Sequence, residues 1–259
     1  MRLVDSHCHL NYKGLIEDQA GVLTRARQAG VRGFLNISTT QAEWPQIVAV
    51  AEREPDVWAS IGVHPHEAEK HPEVSSDVLI RAAGSSKVIA FGETGLDYFH
   101  EYSNRGMQKL LFRRHIAAAR QSGLPVIIHT RDAEEDTLAI LQEELEKGAF
   151  PALIHCFTGS TAFADAILEL GLSISISGIV TFKSARTLQA IAAKIPEDRL
   201  LVETDSPFLT PVPHRGRMCE PAFVWDTNAF IADLRGMLPE QLAERTTSNF
   251  FNLFAKAAA

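Results

Sequence analysis

The sequence predicts a (β/α)8 barrel. Three observations point to it. Short apolar, β-rich runs alternate with longer stretches of helical spacing; the alternation repeats eight times with no Gly/Ser- or Pro-rich linker; and histidines or acids stand at the ends of five of the eight runs. A doubly wound open sheet is the other way to wind the same alternation. No repeat or low-complexity segment interrupts the chain, so residues 1–259 are expected to form one domain.

The elements follow in order. RLVDSHCH is the first strand, and its period-two alternation puts His7 and His9 on one face and Cys8 on the other. Asp5 then shares the histidine face, where it could accept the second N–H of an imidazole. LIEDQAGVLTRARQAG has helical spacing and leads into VRGFLNI and, further on, VWASIGV. After this third strand, GVHPHE brings His64 and His66 to a loop, either for substrate contact, with His64 nearer the strand, or as a turn shaped by Pro65. VIAFGE closes on Glu93. NRGMQKLLFRRHIAAARQSG reads as a helix with Asn104 as N-cap, Gly123 as C-cap and Pro125 barring its continuation. LPVIIH ends on His129 and FPALIH on His155. FTGS, which follows, could offer backbone N–H groups to an anion or start a helix with Ser160 as its cap.

LSISIS alternates Leu172, Ile174 and Ile176 with Ser173, Ser175 and Ser177. Large residues against the helices and small ones in the barrel lumen would satisfy it. RLLVET precedes Asp205, with Glu203 on the same face, and Pro207 ends the strand. LPEQLAERTTSNFFNLFAKAAA is the last amphipathic helix, docked by Phe250, Phe251, Leu253 and Phe254.

At 46% hydrophobic and 22% charged residues the composition is that of a globular protein. No apolar run approaches the roughly 18 residues of a membrane span, no signal peptide is visible, and the mature chain is expected to start at Met1. The three scattered cysteines make no disulfide framework, which implies a reducing, cytoplasmic setting. A net charge of -7 argues against non-specific coating of nucleic acid, though not against nucleic acid at a local metal-bearing cleft.

In a barrel the strand ends converge on one mouth, so His7, His9, Glu93, His129, His155 and Asp205 can share cations. Six such residues can hold two divalent ions, with Glu93 the candidate bridge because a carboxylate has two oxygens and an imidazole one free nitrogen. Two ions roughly 3.5 to 4 Å apart could activate a water and stabilise the leaving oxygen of a phosphoryl displacement, with Asp205 as ligand, general base or both. Histidines favour Zn²⁺, whereas carboxylates and phosphoryl chemistry suit Mg²⁺ or Mn²⁺. Arg131 and Arg215, just after a strand and in the long loop beyond strand eight, are candidates for phosphate contacts. His71, His100 and His115 lie in loop or helical contexts with no ligand partner in spacing, and no role is assigned to them.

VDSHCHLN, GVHPHE, GETGLDY, LPVIIHTRDAEEDT, HCFTG and LLVETDSPFL followed by HRG together resemble the TatD-type metal-dependent hydrolases, (β/α)8-barrel relatives of the amidohydrolases. The motifs keep the family's order and span nearly the whole chain. The resemblance implies a divalent-metal-dependent deoxyribonuclease, a 3′ to 5′ exonuclease on ends of single-stranded DNA or RNA, using Mg²⁺. It implies His7, His9, Glu93, His129, His155 and Asp205 as metal ligands and Asp205 as acid/base. No obligate protein partner is expected. Cys219 stands in HRGRMCEPAFV where the family commonly has Asn. Alternatives are an amide or ester hydrolase, such as one removing D-amino acids from tRNA, and a scaffold with a structural metal.

Overall fold

The computed structural model describes residues 3–258; Met1, the expected start, Arg2 of the expected first strand and Ala259 lie outside them. Eight parallel strands pair in sequence order: β1 (Leu3–Cys8), β2 (Val31–Asn36), β3 (Val57–Ile61), β4 (Val88–Asp97), β5 (Val126–Arg131), β6 (Ala152–Ile154), β7 (Ser173–Ile176) and β8 (Leu200–Val202). A doubly wound sheet would reverse direction partway; this order does not. The circle closes above β8, where Asp205 N–H donates to His7 O and His9 N–H to Ser206 O, both at 2.9 Å. The closure therefore sets Asp205 beside both histidines of the opening motif.

Helices α1 (Gln19–Gln28), α2 (Trp44–Arg53), α3 (Ser76–Ala82), α4 (Arg105–Ser122), α5 (Glu134–Glu146), α6 (Thr161–Glu169), α7 (Arg186–Ala192) and α8 (Val224–Leu234) each follow a strand, and α9 (Pro239–Leu253) is added at the end. None is long and apolar enough to cross a membrane. Helix α4 starts where expected: Asn104 accepts the Met107 N–H at 2.9 Å, and Gly123 ends it in the left-handed region at φ 76°.

Apolar residues form two layers. Leu3, Phe34, Ile61, Phe91, Ile128, Ile154, Ile174, Ile176 and Leu200 face the helices. Val4, Leu35, Ile89, Ile127, Leu153 and Leu201 fill the floor of the lumen, where Phe250 and Phe254 of the α9 end plug it and Phe251 and Leu253 pack at its edge. Above the floor the lumen turns polar. Ser175 meets Ser6 and the Glu203 carboxylate there, while Ile174 and Ile176 face outward, which satisfies the alternation of LSISIS.

Strand β8 ends at Val202, short of the expected RLLVET and of Pro207, and two further strands depart from the sequence expectation. In β1, Asp5 pairs with Phe34 but Cys8 with Asn36, so β1 carries one extra residue, a bulge. Ser6 and His7 consequently both face inward, and Asp5 falls on the other face. There its carboxylate accepts Thr204 N–H at 2.9 Å and meets Thr204 Oγ1 at 2.6 Å, and it orients no imidazole. Strand β4 runs to Asp97, four residues past Glu93. Gly95 allows this: at φ +134° it pairs with His129, and a Cβ there would lie 2.0 Å from the His129 carbonyl oxygen.

Candidate metal centre

The strand ends open on a cavity of about 1260 Å³. His9, Glu93, His129, His155 and Asp205 line its base, His7 is buried against them, and Glu93 divides the set. Its Oε2 lies 3.4 Å from His7 Nε2 and 3.8 Å from His9 Nε2. Those two nitrogens are 3.3 Å apart and stand 3.5 and 3.4 Å from Asp205 Oδ1. The other oxygen, Oε1, lies 2.7 Å from His155 Nε2, 3.0 Å from His129 Nδ1 and 3.4 Å from His64 Nε2. One carboxylate thus faces two sets of nitrogen donors, one oxygen to each.

Neighbouring groups fix which ring nitrogen is free. His129 Nε2 meets Asp97 Oδ2 at 3.2 Å, which leaves its Nδ1 turned to Glu93; His155 Nδ1 lies 3.4 Å from Glu203 Oε1 without hydrogen-bond geometry, while its Nε2 is turned to Glu93. His64 is different. Its Nδ1 accepts the His66 backbone N–H at 3.1 Å, so in the neutral ring Nε2 carries the hydrogen and His64 is a donor toward Glu93. Burial pushes its pKa down to about 4, against the pull of Glu93, and keeps it neutral.

Burial alone would raise the Glu93 pKa, but His155, His64 and His129 hold it well below the ordinary value. Asp205 is likewise held down against burial by His9 and His7. Conversely, burial disfavours charge on His155, yet Glu93 and Glu203 pull its pKa well up. The field at the base of the cavity therefore favours positive charge. His155 Nε2 is buried and, despite its nearness to Glu93, has no hydrogen-bond geometry; the Nδ1 atoms of His7 and His9 have no partner either. The Nε2 atoms of His7, His9 and His155 and Nδ1 of His129 converge on two ionised carboxylates, and His155 Nε2 does so with no hydrogen-bond partner, a donor set that fits divalent-metal binding.

The remaining sequence candidates are scattered. Arg131 lines the cavity, its guanidinium 4.1 Å above the Phe99 ring. Arg215 lies over Phe182 at 4.0 Å, donates to Thr210 O, and is not among the cavity-lining residues. Cys219 is buried beneath the loop after β8, where its N–H donates to Pro207 O. At FTGS the anion is internal: the Glu134 carboxylate accepts Ser160 N–H at 2.7 Å and its hydroxyl at 2.6 Å, while Ser160 Oγ caps α6. Sequence reasoning missed Asp97 and His100, which meet at the lip with His66. A strand ended at Glu93 hides Asp97; a strand continued through GETGLD would have exposed it.

The TatD related DNase family model matches residues 4–255. Over 257 residues the chain is 44% identical to the metal-dependent hydrolase YcfH of Escherichia coli K12, covering 98% of this chain and 96% of the relative. It is 36% identical over 258 residues to the 3'-5' ssDNA/RNA exonuclease TatD of Erwinia tasmaniensis, covering 97% and 99%. The crystal structure of YjjV, a TatD homolog from Escherichia coli K12, superposes with a TM-score of 0.90 at 30% identity over 98% of both chains. The chain belongs to the TatD related DNase family and is a metal-dependent hydrolase.

Proposed function

We propose that this member of the family is a two-cation phosphodiesterase that removes nucleotides from an end of single-stranded DNA or RNA, as a 3′ to 5′ exonuclease. The observation that carries the reading is the division of Glu93, one oxygen toward His7, His9 and Asp205 and the other toward His129 and His155. Mg²⁺ or Mn²⁺ would serve for turnover, with Zn²⁺ the alternative for so nitrogen-rich a set. When bound, two such ions lower the pKa of an attacking water and neutralise charge on the leaving oxygen.

The chain's own residues do the rest. Asp205, ionised and next to His7 and His9, takes the proton from the attacking water. His64 offers its Nε2–H to a phosphoryl oxygen in place of Glu93. Asp97 holds His129 with its Nδ1 lone pair inward, so that this ring needs no reorientation when substrate arrives, and the Glu203 carboxylate stands 3.4 Å behind His155. Arg131 steadies the phosphate from the lip.

One observation favours a second reading, an amide or ester hydrolase acting on a smaller substrate such as an aminoacyl ester. Among the described residues lining the cavity, Glu43, Glu67, Glu93, Asp132, Glu134 and Asp205 stand against Arg131 as the sole Lys or Arg. That lining gives a long polyanion little to hold. The test is a panel of single-stranded DNA, RNA, aminoacyl-tRNA and simple amides with Mg²⁺, Mn²⁺ or Zn²⁺ restored to the metal-free protein. Release of mononucleotides from a 3′ end supports the nuclease; an inert response to nucleic acid together with cleavage of the aminoacyl ester replaces it with the second reading.

A further inference from the structure

We propose that His66, Asp97 and His100 form a third cation site at the lip of the cavity, suited to a transition metal of the zinc type and distinct from the pair at its base. His66 comes from the turn after β3, Asp97 from the end of β4 and His100 from the loop that follows it. His66 Nε2 lies 2.8 Å and His100 Nδ1 3.0 Å from Asp97 Oδ2, and the three atoms lie within 4.8 Å of one another.

Hydrogen bonding alone does not account for this grouping. Asp97 Oδ2 also faces His129 Nε2 at 3.2 Å, so one oxygen with two lone pairs meets three imidazole nitrogens. The other oxygen is already taken by the N–H groups of Phe99 and His100, each at 3.0 Å, and these lock the carboxylate in place. Asp97 is 1% exposed, and among the described residues no Lys or Arg pairs with it. A buried carboxylate normally has a full cationic partner or a metal.

The geometry needs little change to accept an ion. Tetrahedral coordination at zinc bond lengths places neighbouring donors about 3.3 Å apart, so the two histidines would move outward by only a few tenths of an ångström. Both rings line the cavity, and their side chains are 24% and 30% exposed, which leaves coordination positions open to water or a substrate anion. Tyr102 packs against both rings, with centroids 4.9 and 5.4 Å away, and restrains them. Two imidazoles and one carboxylate oxygen select zinc-like ions over Mg²⁺, which demands an oxygen shell. Set in an otherwise acidic lip, such an ion would add a second electrophilic contact beside Arg131.

The inference concerns binding and stands apart from the hydrolytic reading. Metal-free full-length protein is titrated with Zn²⁺ and separately with Co²⁺, with bound metal counted by elemental analysis and cobalt coordination followed by visible absorption. Wild type is expected to bind one equivalent more than His100→Ala and His100→Gln, whatever the total, and to keep that equivalent in excess Mg²⁺. Circular dichroism checks that the variants fold. Equal stoichiometry and equal affinities in wild type and both variants would overturn the site. A protein that shows the extra equivalent but hydrolyses no nucleic acid leaves this inference standing and removes the nuclease; one that degrades DNA without the extra equivalent does the reverse.

Discussion

The two ends of the barrel are built on opposite principles. At the floor, Val4, Leu35, Ile89, Ile127, Leu153 and Leu201 meet Phe250 and Phe254, with no polar side-chain atom in the set. At the mouth, histidines and acids are buried together with nitrogens left unpartnered. Backbone strain follows the same division. Of the non-glycine residues with positive φ, Asp132, Cys156, Asp205 and Leu209 line the mouth cavity, whereas none belongs to the floor cluster. Each such conformation costs of order 1–3 kcal/mol and persists where its surroundings enforce it. With the proposed chemistry at the mouth and the apolar packing at the floor, substitutions should separate activity from stability.

Glu93→Gln should have the largest effect, because it removes charge from the one residue facing both histidine sets. Turnover is expected to fall roughly 10⁴-fold, about 5.5 kcal/mol, with an unchanged circular dichroism spectrum; a fall under tenfold would break the assignment of chemistry to the mouth. Phe250→Ala should reverse the pattern. Urea unfolding is expected to show about 4 kcal/mol lost from the plug, while the folded fraction keeps its kcat.

His115 sharpens the comparison as a histidine of the wall. It is buried in α4, where Nδ1 faces Leu111 O at 2.7 Å and Nε2 accepts Val63 N–H at 3.2 Å. Burial pushes its pKa down from 6.5 to about 4. Below pH 6.5 the unfolded chain takes a proton there that the folded chain refuses, so stability present above pH 6.5 is lost as pH falls toward 4. The loss is about 3 kcal/mol. Unfolding curves of wild type and His115→Gln at pH 7 and pH 4 should differ in pH dependence by that amount, and parallel curves would refute it. Smallest of all, Asn104→Ala should cost about 1 kcal/mol in thermal unfolding without altering turnover, since Asn104 caps α4 and donates to Glu69 but does not line the cavity.

Much of this contrast was legible in the sequence because strand ends and alternation are local signals. His129, His155 and Asp205 follow apolar runs directly, and LSISIS declares its own inner and outer faces. The bulge in β1 has no compositional mark: VDSHCH alternates plausibly without it, and only pairing with β2 shows that Asp5 and His7 part company. The full length of β4 is hidden for a related reason, since glycine reads as punctuation until the neighbouring His129 backbone explains Gly95. A strand that ends at Glu93 leaves Asp97, and with it His100, without a place at the mouth. Arg215 looked available as a loop cation, but Phe182, remote in sequence, holds it.

The central claim is that Glu93 joins two cations, and anomalous diffraction from crystals grown with Mn²⁺ tests it most directly. Two peaks are expected at the cavity base, one touching Glu93 Oε2, His7, His9 and Asp205 and the other touching Glu93 Oε1, His129 and His155. A single peak on one side of Glu93, or none within bonding distance of it, would contradict the account.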